Sequence, residues 1–170
     1  TVASTASCLG DFFERGRALS TWKNSIYIVV ADHGHYLPKD RNSHDLERHH
    51  IACLISGGAL RSDLRGARNT TFTSHVDLAA TILGQLGLPH ERFVWSKDIF
   101  DPATSKFAWY TFDNGFGYAD ATQAVVFDAI RGQPILWRDS TATAITDSTA
   151  LHNGKALLQV ELDRYLELDQ

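Results

Sequence analysis

The stretch Ser25-Ile26-Tyr27-Ile28-Val29-Val30-Ala31-Asp32-His33-Gly34 decides how this chain is read. Residues 25–31 form a short apolar run rich in β-branched side chains. Such a run predicts a strand buried on both faces, as in a parallel sheet covered by helices. It ends abruptly in Asp32, His33, Gly34 and His35. In open parallel sheets, ligands collect outside the carboxyl ends of the strands. There Asp32 offers a hard oxygen and His33 a borderline nitrogen, a mixture suited to Zn²⁺ or Mn²⁺. Gly34 allows a sharp turn that lets neighbouring side chains converge. The same residues also fit a plain Asp-His-Gly turn with a capping carboxylate.

Outward from this run, residues 4–20 read as a helix, with Leu9, Phe12 and Phe13 on one face and Gly10 and Gly16 weakening it. Downstream, residues 36–49 are polar, contain Pro38, Asp40 and Asn42, and read as a loop. Ile51 to Ser56 is a second buried-strand candidate, closed by Gly57-Gly58, and residues 59–72 read as irregular. A clear helix follows. Ser74 and Asp77 fit a capping box in which hydroxyl and carboxylate satisfy orphan N–H groups. Ala79, Ile82, Leu83 and Leu86 form its apolar stripe, Gly87 suits the left-handed residue after its end, and Pro89 blocks continuation.

Beyond residue 92 the pattern changes. Strands are predicted over 107–112 and 123–130 with an Asn114-Gly115 turn between them, and a third over 134–138. Residues 139–150 read as a loop, and 154–168 as a last helix with Leu158, Leu162, Tyr165 and Leu166 on one face. The aromatics Trp109, Tyr110, Phe112, Phe116 and Tyr118 read as a sheet core. The expected class is α/β, with an α/β core over 1–92 and a small antiparallel sheet plus terminal helix over 93–170.

Composition narrows the function. The 170 residues are 44% hydrophobic and 21% charged, close to the globular average, which excludes a disordered tail, a collagen or a coiled coil. Sixteen Lys and Arg against twenty Asp and Glu give a net charge of −4, so no nucleic-acid partner is expected. No apolar run approaches the roughly 18 residues of a membrane span. Two cysteines cannot build a disulfide framework; Cys53, in an apolar run, reads as a buried thiol and Cys8 as a helix residue. The chain contains no methionine and reads as a piece of a longer protein.

A tight metal centre needs about four ligands, so Asp32 and His33 require company. His44, His49 and His50 follow within twenty residues. His44 lies in the polar loop, free to face a substrate, whereas strand alternation would send His49 and His50 to opposite faces. His49 and His50 read first as ordinary surface histidines, with further metal donors as the alternative. Other chemistries lack their patterns: there is no Gly-x-Ser-x-Gly elbow and no phosphate-binding Gly-rich loop ending in Lys-Ser/Thr.

The run IYIVVADHG resembles the metal-binding strand of the alkaline phosphatase/sulfatase superfamily. The segment SHVDLAATILGQLGLP (74–89) is similar to the helix found downstream of it in those proteins, and CLGDFF (8–13) to the helix that precedes it. In order and spacing the resemblance covers roughly residues 5–130. ADHGHYLP and the aromatic stretch before Asp113-Asn114-Gly115 look like the lipoteichoic-acid-synthase-like branch, whose bacterial members are membrane-anchored phosphoglycerol transferases facing outward.

The resemblance implies the C-terminal portion of an α/β/α sandwich and a phosphate or sulfate ester as substrate. It implies an extracellular or periplasmic location in bacteria. It makes Asp32 and His33 ligands of a divalent ion, manganese first, with zinc, magnesium or calcium as alternatives. His44 and His35 become the substrate-facing candidates, with the loop 35–50 shaping the mouth of the site. The family's Thr, Ser or formylglycine nucleophile lies far upstream of this motif, and the signature Cys/Ser-x-Pro-x-Arg does not occur here. The chain is therefore expected to be inactive alone, to need the N-terminal part of its catalytic domain as partner, and to self-associate through bared edges. Sulfatase and phosphoethanolamine transferase remain open within the same superfamily. A non-catalytic α/β binding or interaction module is the reading outside it.

Overall fold

The computed structural model describes residues 2–139 and 148–168, which form two compact units. The first comprises residues up to Asp32 together with Ile51–Arg68. It opens with helix α1, Val2–Arg17. The helix runs through Gly10 and Gly16, each of which costs a helix interior about 1 kcal/mol relative to Ala. Aromatic packing offsets this. Phe13 is buried and meets Tyr27 and Trp22 edge-on at 5.9 and 6.2 Å, while Trp22 stacks on Tyr27 at 5.0 Å. Phe12 and Leu19 stay exposed.

Strand β1, Tyr27–Val30, pairs with β2, Cys53–Ser56, in a two-stranded antiparallel ladder. Tyr27 faces Ser56 and Val30 faces Cys53. This corrects the expectation of parallel strands buried on both faces. Consecutive parallel strands need a long crossover, usually a helix, and the chain between β1 and β2 forms only a short 3-10 turn at Leu46–Arg48. The β1 residues are half-buried, Leu54 is exposed, and Cys53 is an exposed thiol rather than a buried one. β2 is followed by Gly57, whose φ of +125° is a conformation reserved for glycine and lets Ala59 N–H reach the carbonyl of Ser25 at 3.2 Å.

The second unit comprises His33–His50 and the chain from Asn69 onward. Its helix α2, Asp77–Gln85, begins where predicted, but its cap and buried face differ. The Asp77 carboxylate accepts from Ser74 N–H at 2.8 Å, half of a capping box. The Ser74 hydroxyl instead accepts from Trp109 N–H at 3.4 Å. The fully buried residues are Asp77, Ala80 and Thr81, spaced i, i+3, i+4, while Leu86 at the end of the apolar stripe is exposed. The buried face is stitched to the segment after it: Lys97 reaches Asp77 by its ammonium at 2.8 Å and its N–H at 3.1 Å, Thr81 Oγ1 accepts from Ile99 N–H at 3.1 Å, and Ala80 N–H donates to Ser96 Oγ at 2.8 Å. Gly87 takes the left-handed conformation expected at the helix end, with φ +67°.

The main sheet is an antiparallel meander of β3 (Phe107–Phe112), β4 (Gly115–Asp120), β5 (Gln123–Asp128) and β6 (Gln133–Asp139). Strand β4 was not anticipated. Its two glycines and terminal Asp give it poor strand propensity, but tertiary packing calls for small residues: a side chain at Gly115 would collide with the Phe127 carbonyl, and one at Gly117 with the Tyr110 ring. Helix α3, Thr149–Leu168, covers one face of this sheet and starts earlier than predicted. Phe116, Tyr118, Val125, Phe127 and Ala150 form the core, and Gly154 lets the helix settle against the Phe116 ring. Farther along α3, Leu162, Tyr165 and Leu166 are exposed. Most of the loop predicted over 139–150 lies outside the described residues.

Truncating Asp77 leaves the Lys97 ammonium without its buried partner. Removing one member of a buried ion pair costs about 3–5 kcal/mol, so Asp77→Ala is expected to lower the urea midpoint by that equivalent. An unchanged midpoint contradicts the role assigned to the pair.

Candidate functional site

Asp32 is the second residue past β1, and the ladder extends one residue beyond the strand through Ala31 N–H to the Ala52 carbonyl at 3.3 Å. Asp32 and its chain neighbour His33 are both exposed. The His33 ring places Nδ1 2.8 Å from the Gly34 carbonyl. A carbonyl oxygen only accepts, so Nδ1 carries the proton and the lone pair sits on Nε2. Metal-ligating histidines commonly show this arrangement, with one ring N–H donated to a backbone carbonyl and the other nitrogen left as the donor atom. Gly34 is required by packing as well as by the turn, since a Cβ there would run into the Arg48 carbonyl oxygen.

The other two candidates lie in the loop 35–50. His35 Nδ1 accepts from Leu37 N–H at 3.0 Å, which leaves Nε2–H as a donor, and the ring stacks on Tyr36 at 4.5 Å. That tautomer suits hydrogen bonding to an ester oxygen rather than metal ligation. His44 is half-buried, with Nε2 3.6 Å from the Asp45 carboxylate and its ring 6.1 Å from Phe112.

The loop is shaped by its own short-range bonds. Arg41 N–H donates to the Tyr36 carbonyl at 2.9 Å and Asn42 N–H to Asp45 Oδ2 at 2.7 Å. It is anchored from strand β3 by Tyr110, whose hydroxyl donates to the His44 carbonyl at 2.7 Å and whose ring stacks on His49 at 3.6 Å. Tyr110 and Phe112 thus serve the loop, whereas Phe116 and Tyr118 belong to the sheet core and Trp109 packs against it. The alternation of strand residues hints at this split, because Trp109 and Tyr110 must face opposite sides.

His49 is structural rather than a ligand: its Nε2–H donates to the Ser43 carbonyl at 2.8 Å, and its neighbour His50 is exposed. Among the described residues no group of three or more His, Cys, Asp or Glu is gathered to hold a metal ion. Asp32 and His33 fit such an ion in the kind of donor they offer but are two where about four are needed. No described helix is long and apolar enough to cross a membrane.

Two expectations follow from this geometry. Gly34→Ala should expel the turn from its place against Arg48, seen as large amide shifts confined to residues 33–50; a spectrum superposable on the native one contradicts it. Burial holds His49 below its ordinary value of 6.5, with Arg48 adding to the effect and the Ser43 carbonyl opposing it. The unfolded loop therefore takes up a proton more readily than the folded one. The anchoring of the loop is complete above about pH 6.5 and weakens as the pH falls below that value. Imidazole NMR should give His49 a midpoint under 6.5, and a midpoint above it overturns the assignment.

Residues 1–88 match the sulfatase family. The fold is also similar to the crystal structure of a protein in the alkaline phosphatase superfamily from Vibrio parahaemolyticus, with a TM-score of 0.66 at 21% identity. That similarity covers 92% of this chain and 40% of the other, so this chain spans less than half the length of its structural relative. No curated protein matches the sequence. The family match extends over more than half of the 170 residues and takes in the strand, the Asp32-His33-Gly34 turn and helix α2: the chain belongs to the sulfatase family.

Proposed function

We propose that this chain is the metal-binding C-terminal portion of a catalytic domain that cleaves or transfers phosphate or sulfate esters. The observation that carries the reading is the Asp32-His33-Gly34 turn, where the His33 proton sits on Nδ1 against the Gly34 carbonyl and the lone pair on Nε2. Asp32 and His33 would hold the ion, manganese before zinc, magnesium or calcium. A divalent cation there supplies Lewis-acid polarisation of an ester oxygen. The chain's own residues do the rest of what falls to this portion. His33 is kept in its ligating tautomer by Gly34. His35 presents Nε2–H, and His44 faces the substrate from the half-buried end of the loop.

The hydroxyl nucleophile, a Thr, Ser or formylglycine, belongs to another part of the protein and completes the reaction with this portion as its partner. Within the superfamily we place the parent protein in the lipoteichoic-acid-synthase-like branch, a phosphoglycerol transferase working on the outer face of a bacterial membrane. The support is the run ADHGHYLP and the aromatic strand before Asp113-Asn114-Gly115. A non-catalytic module is the second reading, favoured by the two-donor count among the described residues.

Calorimetry with Mn²⁺ separates the readings. One ion is expected per chain, with affinity reduced about tenfold or more in Asp32→Ala and His33→Ala, by analogy with the loss from disturbing a metal's supporting shell. Mn²⁺ binding unchanged by both substitutions sinks the assignment. The chain alone should not hydrolyse an aryl phosphate or aryl sulfate, and turnover that disappears in Asp32→Ala would show that the nucleophile is present after all.

A further inference from the structure

We propose that Tyr110 is a positioning residue for the substrate side of this site, acting through His44: strand β3, rather than the loop itself, sets where the His44 imidazole stands. The inference rests on reading the loop 35–50 as the mouth of an ester-binding site. The phosphate or sulfate portion of the ester is the chemistry His44 would meet.

The bonds inside the loop give it shape but not location. Arg41 to Tyr36, Asn42 to Asp45, Arg48 to Asp45 and His49 to Leu46 all close within a few residues. Tyr110 supplies location from 66 residues away in sequence. It does so twice, through its hydroxyl on the His44 carbonyl at 2.7 Å and through its ring on His49 at 3.6 Å. The hydroxyl grips the main chain of the very residue whose side chain is the substrate candidate. β4 is cut to fit this ring, because a side chain at Gly117 would strike the phenol itself. Phe112 sits against the His44 ring two residues along the same strand face.

The phenol is a dependable donor. Burial, reinforced by the Asp45 carboxylate, pushes its ionisation well above the ordinary tyrosine value, so the proton stays in the bond to His44 through the physiological range. The groups facing the pair are His49 and Ser43 on the loop, Asp45 beside His44, and Gly117 from β4. A reacting group misplaced by about 1 Å can lose on the order of 100-fold in rate. A main-chain anchor at His44 is therefore worth more to a substrate than to the stability of the fold.

Inorganic phosphate titrated calorimetrically into the Mn²⁺-loaded chain tests this with four proteins: native, Tyr110→Phe, His44→Ala and the double variant. Tyr110→Phe keeps the ring and its stacking on His49 and removes one hydrogen-bond donor. A net hydrogen bond corresponds to roughly a fivefold change in an equilibrium. Phosphate affinity should fall by about that factor in Tyr110→Phe, and the double variant should bind no more weakly than His44→Ala alone, since a residue acting through another has no effect once that other is gone. Amide exchange over residues 43–49 should quicken in Tyr110→Phe while the sheet amides keep their native rates. Native affinity in Tyr110→Phe, or losses that multiply in the double variant, overturns the inference and leaves the ester-site reading standing. No phosphate binding by the native chain overturns the ester-site reading and this inference with it.

Discussion

A buried carboxylate organises the second unit. Asp77 is fully enclosed, and an enclosed charge is costly unless it is paired and hydrogen-bonded on every side. Here the Lys97 ammonium, the Lys97 N–H and the Ser74 N–H all converge on its two oxygens. Satisfying that one group fixes the start of α2, the path of residues 96–99 beside it, and the approach of Ser74 to Trp109 on β3. The Lys97 ammonium also lies over the Phe107 ring at 3.9 Å, so the same ion pair reaches the first strand of the sheet. Polar satisfaction, more than apolar burial, explains why helix α2 turns its Asp77–Ala80–Thr81 face inward and leaves Leu86 outside.

The sheet gains its two working faces from strand alternation. On one side, Phe116, Tyr118, Val125 and Phe127 meet α3, with Gly154 admitting the helix to contact. On the other, Tyr110 and Phe112 meet the loop 35–50. Glycines stand at the positions of closest approach, which is why β4 carries two of them despite their poor strand propensity. The loop that bears His35 and His44 thereby rests on a strand of the sheet and not only on its own turns.

Much of this was legible in the residues. The apolar run ending in Asp32-His33-Gly34, the helix after Ser74, the glycine at its end and three of the four strands of the sheet are local patterns, and each appears where its pattern stands. Strand β4 was not legible, because glycine propensity argues against a strand while the need for space under Tyr110 and beside Phe127 argues for those glycines. The roles of Tyr110 and His49 were equally hidden. Nothing in a sequence pairs a phenol with a carbonyl 66 positions away, and an aromatic in a strand reads the same whether it fills a core or anchors a loop.

The sequence by itself determined that Asp32, His33 and Gly34 follow β1, and where the helices and every strand of the sheet but β4 form, because these follow from side-chain chemistry and from periods of two and 3.6 residues. Tertiary structure alone decided that β1 and β2 run antiparallel, that Asp77 draws α2 onto Lys97, and that β3 holds the loop of His44. Those outcomes depend on which distant groups come within hydrogen-bonding distance. A hydrogen bond is sharply limited in length and angle, so its partners are settled only when the whole chain has taken its place.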